Sequence, residues 1–90
     1  MLKLMIADDE RVIRETISNL IDWKLLDIEL SGLCSNGLEA YDMIIDESPD
    51  IVLTDIKMPG MTGLELIKNI SKSHLDTQFI ILSGYGEFEY

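Results

Sequence analysis

Two apolar patterns alternate along the chain. Leu2-Lys3-Leu4-Met5-Ile6-Ala7 is a run of strand length broken by one lysine, and it predicts strand β1 over Leu2–Ala7. From about residue 10 to 21 the period changes. Ile13, Ile17, Leu20 and Ile21 recur at helical spacing behind Asp8 and Asp9, where acids favour a helix N-terminus, so a helix α1 is expected there. Residues 22–27 read as a loop whose apolar members, Trp23, Leu25 and Leu26, fold back on the domain, with Trp23 a packing residue. Ile28–Cys34 then reads as β2.

Asn36, with Glu39 three residues on, supplies a helix cap for α2, whose apolar face is expected to carry Leu38, Tyr41, Ile44 and Ile45. After the turn Ser48-Pro49-Asp50, the continuous run Ile51-Val52-Leu53-Thr54 has the character of a strand covered on both faces, β3, ending at Asp55. Thr62 and Glu65 stand at capping-box spacing ahead of Leu64, Ile67 and Ile70, predicting α3 as far as about His74, and residues 79–82 predict β4. Strands and helices that alternate with short links imply an α/β fold: a doubly wound parallel sheet with helices on both faces.

Ninety residues make one domain, 1–90, and Glu87-Phe88-Glu89-Tyr90 reads as the start of a further helix, so the domain is expected to be incomplete at its C-terminus. The composition, 47% hydrophobic and 27% charged, is that of a globular chain. No apolar run approaches the roughly 20 residues of a membrane span, which leads to the expectation of a cytoplasmic protein without membrane contact. A net charge of −10 repels nucleic-acid phosphate and argues against DNA or RNA contact by this segment. Cys34 is the sole cysteine, which excludes an intrachain disulfide and a thiolate metal cluster and suggests a buried thiol. His74 has no Cys or His at ligand spacing and is expected to face solvent.

In open α/β sheets, ligands bind beyond the carboxyl ends of the strands. Asp8, Asp9 and Glu10 follow β1, Asp55 ends β3 and Ser83 follows β4, so three aspartates and a hydroxyl are expected to converge on one edge. Carboxylates gathered in a crevice raise one another's pKa unless a cation restores the ionised form. Mg2+ suits such a set because it takes one or two carboxylates and completes its octahedron with other oxygens. Plainer roles exist for each residue. Asp8 and Asp9 could simply cap α1, Asp55 could be a turn former, Ser83 before Gly84 could be loop chemistry, the Lys57 side chain is expected to face solvent, and Pro59 with Gly60 could serve only the turn.

Three motifs favour the chemical reading: Ile6-Ala7-Asp8-Asp9-Glu10, the run from Asp55 through Met58-Pro59-Gly60-Met61 to Gly63, and Ile81-Leu82-Ser83-Gly84. In this order and spacing they resemble the receiver domains of two-component signalling, over the whole chain. The resemblance implies a flavodoxin-like strand order 2-1-3-4, with a fourth helix, a fifth strand bearing a Lys-Pro pair and a fifth helix lying beyond Tyr90. It implies that Asp55 accepts a phosphoryl group from a sensor histidine kinase and that Ser83 contacts a phosphoryl oxygen and takes part in switching. It implies Mg2+ held by the side chains of Asp9 and Asp55, by the backbone carbonyl of Lys57 and, mainly through water, by Asp8. The 21–23 loop and the segment 83–90 look most like receivers joined to AraC-type helix-turn-helix output domains, making the module a phosphorylation switch and not an enzyme.

Two rivals remain at this level. A haloacid-dehalogenase-type phosphohydrolase also uses a strand-end aspartate with Mg2+, but its second acid is replaced here by Lys57. The presence of Asp8, Asp9, Asp55 and Ser83 counts against a purely structural, dimerising receiver that takes no phosphate, whereas the expected incompleteness at the C-terminus counts for it. With no fifth strand, β4 would be an open edge, through which homodimers or strand-exchanged oligomers are expected.

Overall fold

The structure, a computed structural model, describes residues 1–73 and 76–82. Its elements are β1 (Leu2–Ala7), α1 (Arg11–Leu20), β2 (Ile28–Cys34), α2 (Gly37–Glu47), β3 (Ile51–Asp55), α3 (Gly63–Ser71) and β4 (Gln78–Leu82). All strand pairings are parallel and the order is β2-β1-β3-β4, the α/β arrangement expected. The expectations for His74 and Ser83, and for everything after Leu82, lie outside the described residues.

Because successive strand side chains point to opposite faces, β1 and β3 divide their apolar residues between two cores. Met5, Ala7 and Val52 join Cys34, Ala40, Ile44, Met58, Leu66 and Ile70 on the face covered by α2 and α3. Leu4, Ile6 and Leu53 form the second cluster, against which Ile17, Trp23, Ile28, Leu30, Ile51 and Leu82 pack half-buried. β2 serves both by a device that alternation alone does not reveal. Leu4 pairs with Leu30 but Met5 pairs with Gly32, so Ser31 is an extra residue in the ladder. Such a bulge reverses the facing of all that follows. Ile28 and Leu30 therefore face α1, whereas Cys34 enters the α2/α3 core.

Helix boundaries follow the caps. Asn36 accepts a hydrogen bond from the Glu39 backbone N–H (2.8 Å), and Thr62 and Glu65 close a reciprocal capping box. The expected apolar faces need correction. Leu38, Ile45 and Leu64 are exposed, and the buried positions are Gly37, Ala40 and Ile44 in α2 and Gly63, Leu66 and Ile70 in α3. Both stripes run i, i+3, i+7. The first member is a glycine in each, which brings the helix N-terminus close to its neighbours and turns the adjacent leucine outward.

On the other face, Ile13 and Ile17 are half-buried but Leu20 is 78% exposed, and α1 buries no residue completely. Of the 22–27 loop only Trp23 folds back, its indole N–H donating to the Ser18 carbonyl at 3.0 Å, while Leu25 and Leu26 are exposed. α3 ends at Ser71, short of residue 74.

Candidate functional site

Adjacent parallel strands deliver the site. Ala7 of β1 pairs with Thr54 of β3, so the residues that follow, Asp8 and Asp55, emerge side by side at the carboxyl edge. Ligand-capable carboxylate oxygens of Asp8, Asp9 and Asp55 all lie within 4.8 Å of one another. Asp8 is buried, Asp55 is half-buried and Asp9 is exposed, so the cluster grades from core to solvent.

Each aspartate is held differently. The Asp8 backbone N–H extends the β1–β2 ladder by donating to the Cys34 carbonyl at 3.0 Å. One Asp8 carboxylate oxygen accepts from the Glu10 N–H at 2.9 Å, a local turn of the kind aspartate favours. Helix capping is therefore not what these acids do: the N-cap of α1 is Glu10, with no side-chain cap bond. An Asp55 carboxylate oxygen accepts from the Ile56 N–H at 2.8 Å. Among the described residues the Asp9 carboxylate makes no hydrogen bond, which leaves it available as a ligand.

Burial pushes the Asp8 carboxyl above its ordinary value of 3.8; the Glu10 N–H opposes this, while the charges of Asp9 and Glu10 add to it and that of Arg14 subtracts. A divalent cation among three carboxylates this close would offset their mutual repulsion. The donor set is all hard oxygen and includes an exposed member, which fits Mg2+ with water completing its shell. Lys57 stands two residues beyond Asp55 with its side chain exposed, as expected. Gly60, at φ +82°, supplies the left-handed step of the turn that follows.

Sequence reasoning missed Arg14. Its guanidinium donates to the Asp8 carbonyl at 2.6 Å, tying α1 back to the strand end that carries the acids. The available signal was its sign: a second arginine in the opening turns of a helix opposes the positive helix N-terminus and calls for another reason. Gly63 was also missed as a packing residue. A Cβ there would strike the Asp55 carbonyl oxygen, and its N–H donates to the Ile56 carbonyl at 2.7 Å, so α3 begins directly against the backbone of the strand-end aspartate.

Comparison with known proteins gives a consistent answer. The response regulator receiver domain family matches residues 4–90. A transcriptional regulatory protein of Bacillus subtilis, YesN, is 52% identical over the whole chain, which spans 24% of that protein's length. The transcriptional regulatory protein HptR of Staphylococcus aureus is 41% identical, with 35% of its length spanned. Among solved structures, the receiver domain of the response regulator AraT from Geobacillus stearothermophilus superposes with a TM-score of 0.92 at 36% identity, covering 99% of this chain and 69% of that one. A two-component transcriptional regulator AraC from Clostridium phytofermentans gives 0.86 at 36% identity, covering 100% and 73%. The chain belongs to the response regulator receiver domain family.

Proposed function

We propose that this domain, residues 1–90, is the phosphoacceptor module of a two-component response regulator, with Asp55 as the acceptor. The observation that carries this reading is the convergence of the Asp8, Asp9 and Asp55 carboxylates at the carboxyl edge of adjacent parallel strands. In the transfer, a carboxylate oxygen of Asp55 bonds to phosphorus in line as the P–N bond of a phosphohistidine breaks, and the departing imidazole takes up a proton. The product is an acyl phosphate on Asp55.

Asp9 and Asp55 would hold Mg2+ through their side chains, Asp8 through water and Lys57 through its carbonyl. Bound there, the ion would neutralise charge on the phosphoryl oxygens. Ser83 would meet one of those oxygens. The chain's own contribution is placement: the Glu10 N–H and Arg14 fix Asp8, and the Ile56 N–H orients Asp55.

The family implies a cognate sensor histidine kinase as phosphodonor, a cytoplasmic setting and a separate output domain. The relatives named as transcriptional regulators support DNA control through an AraC-type output domain and not through this acidic segment. Among the described residues no helix is long and apolar enough to cross a membrane.

The test is incubation with acetyl phosphate or a phosphohistidine protein, followed by intact-mass measurement and peptide mapping. One phosphoryl group is expected on the peptide containing Asp55, dependent on Mg2+ and absent in Asp55→Asn. Labelling that persists in that variant would refute the assignment.

A further inference from the structure

The β3–α3 connection, residues 56–62, leads directly out of Asp55, one of the three clustered aspartates. Met58 anchors it from below in the α2/α3 core, and Gly63 anchors its far end on the Asp55 and Ile56 carbonyls. Its outer limb, Pro59-Gly60-Met61, lies against another element altogether, the first turn of α2. The Gly37 N–H donates to the Pro59 carbonyl at 3.2 Å, and Leu38 leans over Gly60, where a Cβ would come within 3.1 Å of the Leu38 Cγ.

Gly37 itself is buried, and a Cβ on it would overlap the Met61 carbonyl oxygen and stand 2.6 Å from the carbonyl carbon. Those are main-chain atoms, so no rotamer change relieves the overlap. Nor can α2 easily retreat, since Ala40 and Ile44, both fully buried, pack it into the cluster on the sheet. The displacement would have to be taken up between Met58 and Gly63, in the short loop attached to Asp55.

From this geometry we infer that Gly37 is a positioning residue for the cation site: the bare first turn of α2 is the seat that sets the course of residues 57–61 and, through them, the placement of the Lys57 carbonyl relative to Asp55. The inference rests on the phosphoacceptor reading given above. It assigns to α2, which contributes no ligand, control over the geometry of the site. Groups that orient metal ligands without touching the metal typically change affinity about 10–100-fold when altered.

The experiment compares Mg2+ affinity, by amide-resolved NMR titration with Mg2+ alone, in the parent chain, Gly37→Ala, Leu38→Ala and Gly32→Ala. Gly32, on β2, is a matched control, since a Cβ there would overlap only the flexible end of the Met43 side chain and make ordinary contact with Met5 Cγ at 3.6 Å, with no main-chain atom in the way. Urea unfolding of each variant reports stability separately. Gly37→Ala is expected to bind Mg2+ about tenfold or more weakly while folded, with altered amide shifts at residues 57–63. Gly32→Ala should lose stability and keep the parent affinity. Leu38→Ala removes an exposed side chain, should stay folded, and should show a smaller loss of affinity in the same direction.

Parent-like Mg2+ binding by folded Gly37→Ala would overturn the inference. If that variant does not fold, parent-like binding by Leu38→Ala would overturn it instead. A parent chain whose Mg2+ binding is absent, or indifferent to Asp9→Asn, would refute the phosphoacceptor reading, and the Gly37 role would fall with it. That outcome is recognised before any glycine variant is compared.

Discussion

The two faces of the sheet are built to different standards. On the α2/α3 face nine buried residues form one cluster, to which two helices and three strands contribute. On the α1 face three strand residues are buried and every helical and loop side chain packed on them is only partly covered. The candidate site straddles this divide. Asp55 leads into the loop that Met58 roots in the closed face, whereas Asp8 and Asp9 lead into α1, which is held by a few half-buried side chains and by Arg14. The proposed acceptor thus sits on the firm side, and two of the candidate cation ligands sit on the softer one.

That contrast can be broken most easily by truncating one residue on each face. Ile44→Ala should cost about 2–5 kcal/mol, the range for a fully buried aliphatic side chain whose site cannot collapse, whereas half-buried Ile17→Ala should cost clearly less. Urea unfolding midpoints measure both, and equal losses would mean that α1 is packed as firmly as α2. Arg14→Met keeps the aliphatic stem but removes the 2.6 Å bond to the Asp8 carbonyl, and about 1.5 kcal/mol should be lost, the low end for a hydrogen bond to a charged group. Amide exchange should then rise at residues 8–11 and not at 55–63. Thr62→Ala removes a cap that starts α3 beside Asp55 and should cost about 1 kcal/mol, seen as faster exchange at the first turn of α3.

Cys34 tests the closed face chemically. Burial pushes its thiol up to about 12 from an ordinary 9.0, with the Glu39 charge adding to the shift and that of Arg14 opposing it. The folded state therefore keeps a proton that the unfolded chain releases. The associated stability is complete below pH 9 and is lost as pH rises toward 12. Near pH 8 the native thiol should resist alkylation and react only on unfolding; rapid native-state alkylation would show that this core opens easily.

Much of this was legible in the sequence because it rests on short-range signals. The apolar run of β3, the Asn36 and Thr62 caps and the alternation of strand and helix all predict the observed elements. The aspartates were legible too, since strand ends in a parallel sheet meet at one edge. What escaped depends on close approach. The extra residue at Ser31 that reverses β2 leaves no mark in hydropathy, and the buried stripes of α2 and α3 begin with glycines, which a search for large apolar residues passes over. Leu38 and Ile45, expected on the apolar face of α2, lie outside. Arg14 acts on a main-chain carbonyl, a partner that no residue pattern displays.

The most direct test of the account is a Mg2+ titration of the chain followed residue by residue through amide shifts, repeated with Asp9→Asn. The account predicts that the shifts concentrate at residues 8–11 and 55–63, that affinity falls in Asp9→Asn, and that at low pH binding releases a proton from Asp8, whose carboxyl is held above its ordinary value in the metal-free fold. Shifts centred elsewhere, or an affinity unchanged by the loss of the Asp9 charge, would contradict it.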